Sequence, residues 1–229
     1  MRVVACASSD LMAAVGMRYF ITGTGTDVGK TFVASRLIAA ANREGIPTVG
    51  FKPISCGGLE DVVALRDAGP LDGPDLDLIN PVRYTTPAAP YTAALYENKP
   101  FELQPILDAY AQLSSKYEGI LVEGAGGWEV PITRDYRIGD LAKEFGLPVI
   151  VVVNNRLGAL NETILTVEAI RRRGLECAGL ILNHLEEERD MPSVTNESAL
   201  EDILEVPVLI DVLHGIDELE LPWQMTNAE

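Results

Sequence analysis

The chain contains few basic residues for its length. Of 229 residues, 18 are Lys or Arg and 34 are Asp or Glu, so the formal net charge is −16. A surface this acidic repels polyanions, which argues against nucleic acid or an anionic membrane surface as the main partner. It also repels the phosphates of a nucleotide, so a lysine beside a phosphate-binding motif gains weight as a functional residue.

Cysteine, histidine and long apolar runs are also scarce. The three cysteines, Cys6, Cys56 and Cys177, have no metal-ligand spacing, and their odd number suits a reducing cytosol, so we expect a cytoplasmic protein. The two histidines, His184 and His214, are far apart in sequence, and we expect neither to be a catalytic base. No apolar run reaches the length of a membrane span.

The first residues make a poor signal peptide. Their apolar stretch is interrupted by Ser8-Ser9-Asp10. We therefore expect residues 1–16 to be an N-terminal extension, either disordered or the result of a start site assigned too early. A single domain would then occupy residues 17–229.

Short apolar segments alternate with segments of helical periodicity. This alternation predicts an α/β fold with a single doubly wound, mostly parallel sheet and helices on both faces. Ile150-Val151-Val152-Val153 has no polar alternation, which favours a parallel strand covered on both faces. The predicted strands are 18–22, 47–51, 119–122, 148–153, 177–182 and 206–210, and the predicted helices are 31–44, 59–67, 103–116, 137–145, 161–173 and 196–204.

A proline-rich stretch over residues 69–101 is the longest segment predicted to be irregular. Long loops inside compact domains are often functional. We expect this one near the carboxyl ends of the strands, where open α/β sheets bind their ligands.

The most informative motif is Gly-Thr-Gly-Thr-Asp-Val-Gly-Lys-Thr, residues 23–31, between a predicted strand and a predicted helix. A glycine-rich turn between a strand and a helix that ends in Gly-Lys-Thr is the arrangement of a P-loop, so the predicted fold is P-loop NTPase-like. In such a loop, backbone N–H groups and the helix N-terminus bind phosphate oxygens. Lys30 would reach the outer phosphates, and the Thr31 hydroxyl would ligate Mg²⁺. The standard spacing requires glycine where Thr24 stands, so the first glycine, Gly23, is one position early.

Two further residues follow predicted strands at the same edge of the sheet. Lys52 comes directly after the second strand, where a lysine could meet a transferring phosphoryl group or could equally be a solvated surface residue. Glu123 ends the third strand and precedes Gly124-Ala125-Gly126-Gly127. A carboxylate there could ligate the metal of a nucleotide, and the glycines would let backbone approach a ligand closely.

Together these segments resemble the dethiobiotin synthetase family. The resemblance covers roughly residues 17–216 and is carried by three motifs in order: Phe20 to Thr31, Phe51-Lys52-Pro53-Ile54 and Leu121 to Trp128. The family's phosphate loop has the same displaced first glycine. Asn80-Pro81, Leu147 to Val152, Arg156-Leu157-Gly158 and Asn183 also match.

The resemblance implies a set of site residues. Lys52 and Lys30 would be catalytic, and Thr31, Asp61 and Glu123 would hold Mg²⁺. The implied ATP-binding residues are Asp27, Val28, Gly29, Lys30, Thr31, Phe32, Asp61, Glu123, Gly124, Ala125, Gly126, Asn183, His214, Gly215 and Ile216. The implied substrate-binding residues are Lys52, Ser55, Cys56, Gly158, Ala159, Leu160 and Asn161.

For three residues in these motifs, the sequence leaves more than one role open. Glu60 competes with Asp61 for the second metal carboxylate, because the loop before them is shorter than in some members. The family often has a hydroxyl residue four positions after the catalytic lysine, where this chain has Cys56, so Ser55 could substitute or the contact could be dispensable. Trp128 is expected to pack beside the glycine loop rather than to stack on a ligand.

The family reaction implied for this chain joins 7,8-diaminononanoate and CO₂ at the expense of ATP, with Mg²⁺, in a homodimer whose substrate site is shared across the interface. No nucleic acid or membrane partner is implied. The alternative is a ParA-like switch ATPase. Those proteins have an extra lysine in the phosphate loop, five residues before the lysine of the Gly-Lys-Thr motif, where this chain has Gly25.

Overall fold

The computed structural model describes residues 16–222 and residue 225. The predicted N-terminal extension, residues 1–16, lies outside the described residues except for Gly16. The strands are β1 (Arg18–Gly23), β2 (Thr48–Phe51), β3 (Ile54–Cys56), β4 (Val82–Tyr84), β5 (Gly119–Glu123), β6 (Val149–Asn154), β7 (Cys177–Asn183) and β8 (Val208–Val212). The helices are α1 (Lys30–Arg43), α2 (Glu60–Asp67), α3 (Leu76–Ile79), α4 (Pro90–Tyr96), α5 (Gln104–Lys116), α6 (Ile138–Phe145), α7 (Ala159–Arg172) and α8 (Met191–Leu204).

Six strands form one parallel sheet in the order β2-β5-β1-β6-β7-β8. This confirms the predicted doubly wound architecture. Alternate residues of β1 point to opposite faces: Phe20 belongs to one apolar core, and Tyr19 and Ile21 belong to the other. The uninterrupted apolar run Ile150–Val153 is buried throughout, as predicted for a strand covered on both sides.

The stretch 69–101 was wrongly predicted to be irregular throughout. It contains α3, β4 and α4, and β4 pairs in parallel with β3 to form a second, two-stranded sheet. These elements span only three to seven residues, which is too short for periodicity to show. The helix predicted over 196–204 begins five residues earlier, because Asp190 caps it by accepting a hydrogen bond from the Ser193 N–H.

Parallel pairing brings the carboxyl ends of the strands to one edge of the sheet. The phosphate loop follows β1, Lys52 follows β2, and Glu123 ends β5, which lies between those two strands. Asn183 ends β7 on the same edge. Residues far apart in sequence therefore meet there. Within residues 16–222 and 225, no helix combines the length and the apolar character needed to cross a membrane.

We predict that Gly139→Ala destabilises the protein although alanine favours helices over glycine by about 1 kcal/mol. Gly139 lies in the first turn of α6, where an added Cβ would lie 2.7 Å from Trp128 Cε2 and 2.8 Å from Arg173 Nε. Overpacking of this kind typically costs about 1–3 kcal/mol and should outweigh the helix propensity. The measurement is the free energy of unfolding in urea.

Lys143→Ala is the control, because Lys143 is exposed on the same helix. It should change the free energy of unfolding by less than about 0.5 kcal/mol. A Gly139→Ala protein that is as stable as the wild type, or more stable, would contradict the packing argument.

Candidate active site

The phosphate loop places a left-handed glycine at the start of α1. Gly29 has φ = 89°, and an added Cβ would lie 2.2 Å from Asn183 Nδ2, so both backbone conformation and space require glycine. Lys30 is buried and its Nζ donates to the Gly25 carbonyl at 2.8 Å. The first turn of α1 contains no acidic residue. Its free N–H groups and the Lys30 ammonium therefore form an anion-binding site.

Lys52 is not a solvated surface residue; its side chain is only 5% exposed. Its Nζ donates to Asp61 Oδ2 at 2.8 Å and to Glu123 Oε1 through a shorter contact. Burial acts to lower the pKa of Lys52, but the charges of Glu123 and Asp61 outweigh it and raise that pKa. The ammonium is therefore fully charged at neutral pH.

Glu123 joins the phosphate loop to Lys52. Its side chain is fully buried, and Oε1 accepts hydrogen bonds from Lys52 and from the Thr31 hydroxyl at 2.8 Å. Its Oε2 is buried and has no hydrogen-bond partner among the described residues. A buried carboxylate oxygen left unpaired is costly, which points to a ligand that would complete it.

The oxygen donors here fit a hard divalent cation. Thr31, Asp61 and Glu123 supply one hydroxyl and two carboxylates, the ligand types that Mg²⁺ takes together with water and nucleotide phosphates. Of the two neighbouring carboxylates, Asp61 and Glu60, Asp61 is the one that contacts Lys52. Burial would raise its pKa, but the charge of Lys52 and the hydrogen bond from Lys52 outweigh burial and lower that pKa, so Asp61 is ionised.

The competing carboxylate, Glu60, lies elsewhere. Its side chain packs over Gly58, where an added Cβ would lie 1.8 Å from Glu60 Oε2, and the residue is exposed. Asp61, one position further along α2, points to Lys52 instead.

A cavity of about 470 Å³ opens beside Lys52. It is bounded on the polar side by residues that the sequence indicated, namely Asp27, Lys52, Ser55, Cys56, Asp61, Ala125 and Gly126, together with Thr26 and Gly58. The apolar part of the lining consists of Pro87, Ala88, Ala89, Pro90 and Val130, which were not predicted individually. The only sequence signal for this wall was the proline-rich stretch 69–101.

Ser55 and Cys56 have different environments. The Ser55 hydroxyl donates to Asn80 Oδ1 at 2.7 Å, and Asn80 Nδ2 donates to the Lys52 carbonyl at 2.6 Å. Ser55 therefore holds the backbone of Lys52 in place through Asn80. Burial, followed by the charge of Glu97, raises the pKa of the Cys56 thiol to about 11, so at neutral pH this residue is a thiol and not a nucleophilic thiolate.

The residues expected to contact the base meet on the far side of the phosphate loop. Asn183 is buried, and its Nδ2 donates to the Val28 carbonyl at 2.9 Å. Leu185 lies against Gly29, and its carbonyl oxygen is 2.9 Å from His214 Nδ1. His214, Gly215 and Ile216 are exposed beside this group.

The residues expected to bind the substrate tail lie apart from this cavity. Gly158, with φ = 96°, caps α7, and Ala159, Leu160 and Asn161 form its first turn after β6. None of the four lines the cavity beside Lys52. The predicted packing role of Trp128 is confirmed: it is 3% exposed and makes an edge-to-face contact with Phe20 at 6.1 Å.

The strand–loop–helix unit, the buried lysine and the two carboxylates define a P-loop nucleotide-binding protein of α/β class. A family model described as an AAA domain matches residues 17–214. The chain resembles a ParA family ATPase from Chlorobium tepidum, with a TM-score of 0.53 and 16% sequence identity over 86% of this chain and 83% of the other. It also resembles the signal recognition particle receptor FtsY from Elizabethkingia anophelis, with a TM-score of 0.55 and 16% sequence identity over 91% of this chain and 62% of the other. At this identity the likeness concerns the fold alone.

Sequence relatives are more specific. The chain is 44% identical to an ATP-dependent dethiobiotin synthetase BioD of Akkermansia muciniphila, with 90% of this chain and 96% of the relative covered. It is 40% identical to the enzyme of that name from Aromatoleum aromaticum, with 86% of this chain and 90% of the relative covered. It is 42% identical to the enzyme of that name from Methanocaldococcus jannaschii, with 72% of this chain and 78% of the relative covered. The chain belongs to the dethiobiotin synthetase family of ATP-dependent ligases.

We predict that Lys52→Met destabilises the free protein by about 3–5 kcal/mol, because it leaves the buried Glu123 carboxylate without its cation. The double variant Lys52→Met, Glu123→Gln should recover much of this loss. Urea unfolding of both single variants and the double variant, without nucleotide or Mg²⁺, measures the coupling.

Lys143→Met is the matched control, since Lys143 is an exposed lysine. Additive effects of the two site substitutions would show that the Lys52–Glu123 contact does not stabilise the fold in the way proposed.

Proposed function

We propose that this chain catalyses the ATP-dependent carboxylation and ring closure of 7,8-diaminononanoate with CO₂, giving dethiobiotin, ADP and phosphate. One observation above all supports this beyond family membership. The Lys52 ammonium is held between Glu123 and Asp61, beside the phosphate loop and at the edge of a cavity with an apolar wall.

The reaction needs positioning and charge stabilisation rather than a protein nucleophile. One amine of the substrate adds to CO₂ and loses a proton, which gives a carbamate. A carbamate oxygen attacks the γ-phosphorus of ATP, and ADP leaves as the carbamic–phosphoric anhydride forms. The second amine attacks the carbamoyl carbon, the ring closes, and the C–O bond to phosphate breaks. The neutral Cys56 thiol agrees with a mechanism that uses no covalent enzyme intermediate.

The two lysines take different parts. Lys30, at the N-terminus of α1, would bind the phosphates in the ground state. Lys52, directly after β2, lines the cavity and contacts both carboxylates, where the carbamate oxygen and the γ-phosphoryl group would meet. Its fixed charge would stabilise the negative charge that spreads over the transferring group.

Mg²⁺, when bound, would neutralise phosphate charge. Thr31, Asp61 and Glu123 would hold it, and the unpaired Oε2 of Glu123 supports this assignment. Asn183, with His214, Gly215 and Ile216 nearby, would contact the base.

The tail carboxylate of the substrate would bind the N-terminus of α7, over Gly158 to Asn161. These residues lie outside the cavity of their own chain, which supports a homodimer in which the partner supplies them. We further propose a cytoplasmic enzyme whose ligase domain is residues 17–229, preceded by an extension over 1–16.

We predict that phosphate release from ATP requires both the diamine and bicarbonate. The measurement is phosphate release with each component omitted in turn, together with detection of dethiobiotin by mass spectrometry. Fast hydrolysis without diamine, stimulated by DNA or by lipid vesicles, would overturn this proposal in favour of a ParA-like switch ATPase.

We predict that Asp61→Asn lowers kcat/KM for Mg²⁺-ATP about 100-fold or more, because residues that only orient a metal ligand already contribute about 10- to 100-fold. Glu60→Gln is the matched control one residue away, and it should have little effect because Glu60 packs over Gly58. The comparison requires steady-state kinetics across a Mg²⁺ titration. A severe Glu60 variant beside a mild Asp61 variant would reverse the assignment.

A further inference from the structure

A compact ionic cluster lies outside the proposed catalytic site. Arg173, directly after α7, forms a two-pronged pair with Glu129: Nη1 lies 2.5 Å from Oε1 and Nη2 lies 2.9 Å from Oε2. Its third nitrogen, Nε, donates to Asp140 Oδ1 of α6 at 3.0 Å. Arg137 donates to the same Glu129 carboxylate at 2.6 Å. One arginine therefore ties α7, α6 and the chain at Glu129 together.

Arg173 is mostly buried in this cluster, whereas Glu129 remains 42% exposed. The Arg173 side chain is 17% exposed, and its guanidinium lies over the Trp128 ring at 5.8 Å. Hydrogen bonding from Arg173 lowers the pKa of Glu129 to about 2, so the carboxylate is charged throughout the physiological range. Gly139 packs against both Arg173 and Trp128, where an added Cβ has no room.

Glu129 belongs to a short segment, residues 128–131, that connects the glycine loop after Glu123 to the apolar wall of the cavity. The carbonyls of Trp128 and Val130 accept hydrogen bonds from Gly139 and Ile138 of α6. Val130 itself lines the cavity. The Pro131 carbonyl accepts a hydrogen bond at 3.1 Å from the Tyr91 N–H, in the first turn of α4.

The segment therefore supports both parts of the apolar wall. Val130 belongs to the segment, and the other part, residues 87–90, leads directly into α4. Glu129 directly precedes Val130 and Pro131, so a contact that holds Glu129 also restrains these two residues. Arg173 lines no part of the cavity and is connected to this wall only through Glu129 and Asp140.

We propose that Arg173 is a positioning residue for the diamine substrate: it locks the 128–131 segment and thereby fixes the apolar wall against which the substrate's hydrocarbon chain packs. The substrate assignment rests on the proposed function; the locking of the wall does not. A lysine could not fully replace Arg173, because only the planar guanidinium group can donate to both Glu129 oxygens and to Asp140 at once.

The test compares Arg173→Gln and Arg173→Lys with Arg172→Gln. Arg172 is the adjacent arginine, 64% exposed, with a single 3.7 Å contact to Glu168 on its own helix, so it is a matched control for charge and location. Hydrogen–deuterium exchange would follow the amides of residues 124–139 and 88–96, with α1 as an internal reference. Steady-state kinetics would give KM separately for diamine and ATP, and kcat.

For Arg173→Gln we expect faster exchange in both segments and unchanged exchange in α1. KM for the diamine should rise roughly tenfold, in the range typical of residues that act on a site through intervening contacts. KM for ATP should rise less than KM for the diamine, because Arg173 contacts Glu129 and Asp140 and no residue of the phosphate loop. Arg173→Lys should be intermediate, and Arg172→Gln should match the wild type. The effects of Arg173→Gln and Glu129→Gln should be less than additive, because the two residues share one contact, although Glu129 also loses its contact with Arg137.

Three results would be decisive against the inference or against its premise. Exchange in 124–139 and 88–96 that matches the control would overturn the inference, as would equal increases in KM for diamine and ATP, which indicate a general loss of structure. A wild-type enzyme that does not turn over the diamine would refute the proposed function instead. The exchange measurement would then still decide whether Arg173 locks the wall.

Discussion

The contact between Lys52 and Glu123 organises the candidate site. A fully buried carboxylate and a lysine that is almost fully buried are tolerable only together, and the sheet order makes their meeting possible by placing β5 between β2 and β1. The same carboxylate binds the Thr31 hydroxyl at the head of α1. One buried ion pair therefore sets the distance between the phosphate loop and the residue proposed to act on the transferring phosphoryl group.

Charge balance explains how so acidic a protein can bind a nucleotide. The charges of Lys30 and Lys52 are balanced by those of Asp61 and Glu123, within a chain of net charge −16. A triphosphate would bring several further negative charges, which Lys52 cannot offset while it is paired with Asp61 and Glu123. The unpaired oxygen of Glu123 and the adjacent Asp61 supply a place for a divalent cation to restore the balance.

The sequence predicted those parts of the molecule that depend on local patterns. The phosphate loop is contiguous, and the six strands of the main sheet were found because buried parallel strands form unbroken apolar runs. Other features depend on packing between distant segments and could not be predicted. The burial of Lys52 follows from the strand order, and the cavity wall at Val130 follows from the docking of residues 128–131 on α6. Asp61 was expected at the site only from the family resemblance, and its contact with Lys52 depends on the packing of α2.

The strand order has a consequence for synthesis of the chain. β1 and β2 emerge first from the ribosome, yet they do not pair with each other, because β5 must insert between them some seventy residues later. Until residue 123 has been made, both strands have an unsatisfied edge on that side. The first part of the chain therefore cannot complete its strand pairing until β5 has been made. Lys52, the proposed catalytic lysine, pairs with Glu123 only when β5 joins this half of the sheet.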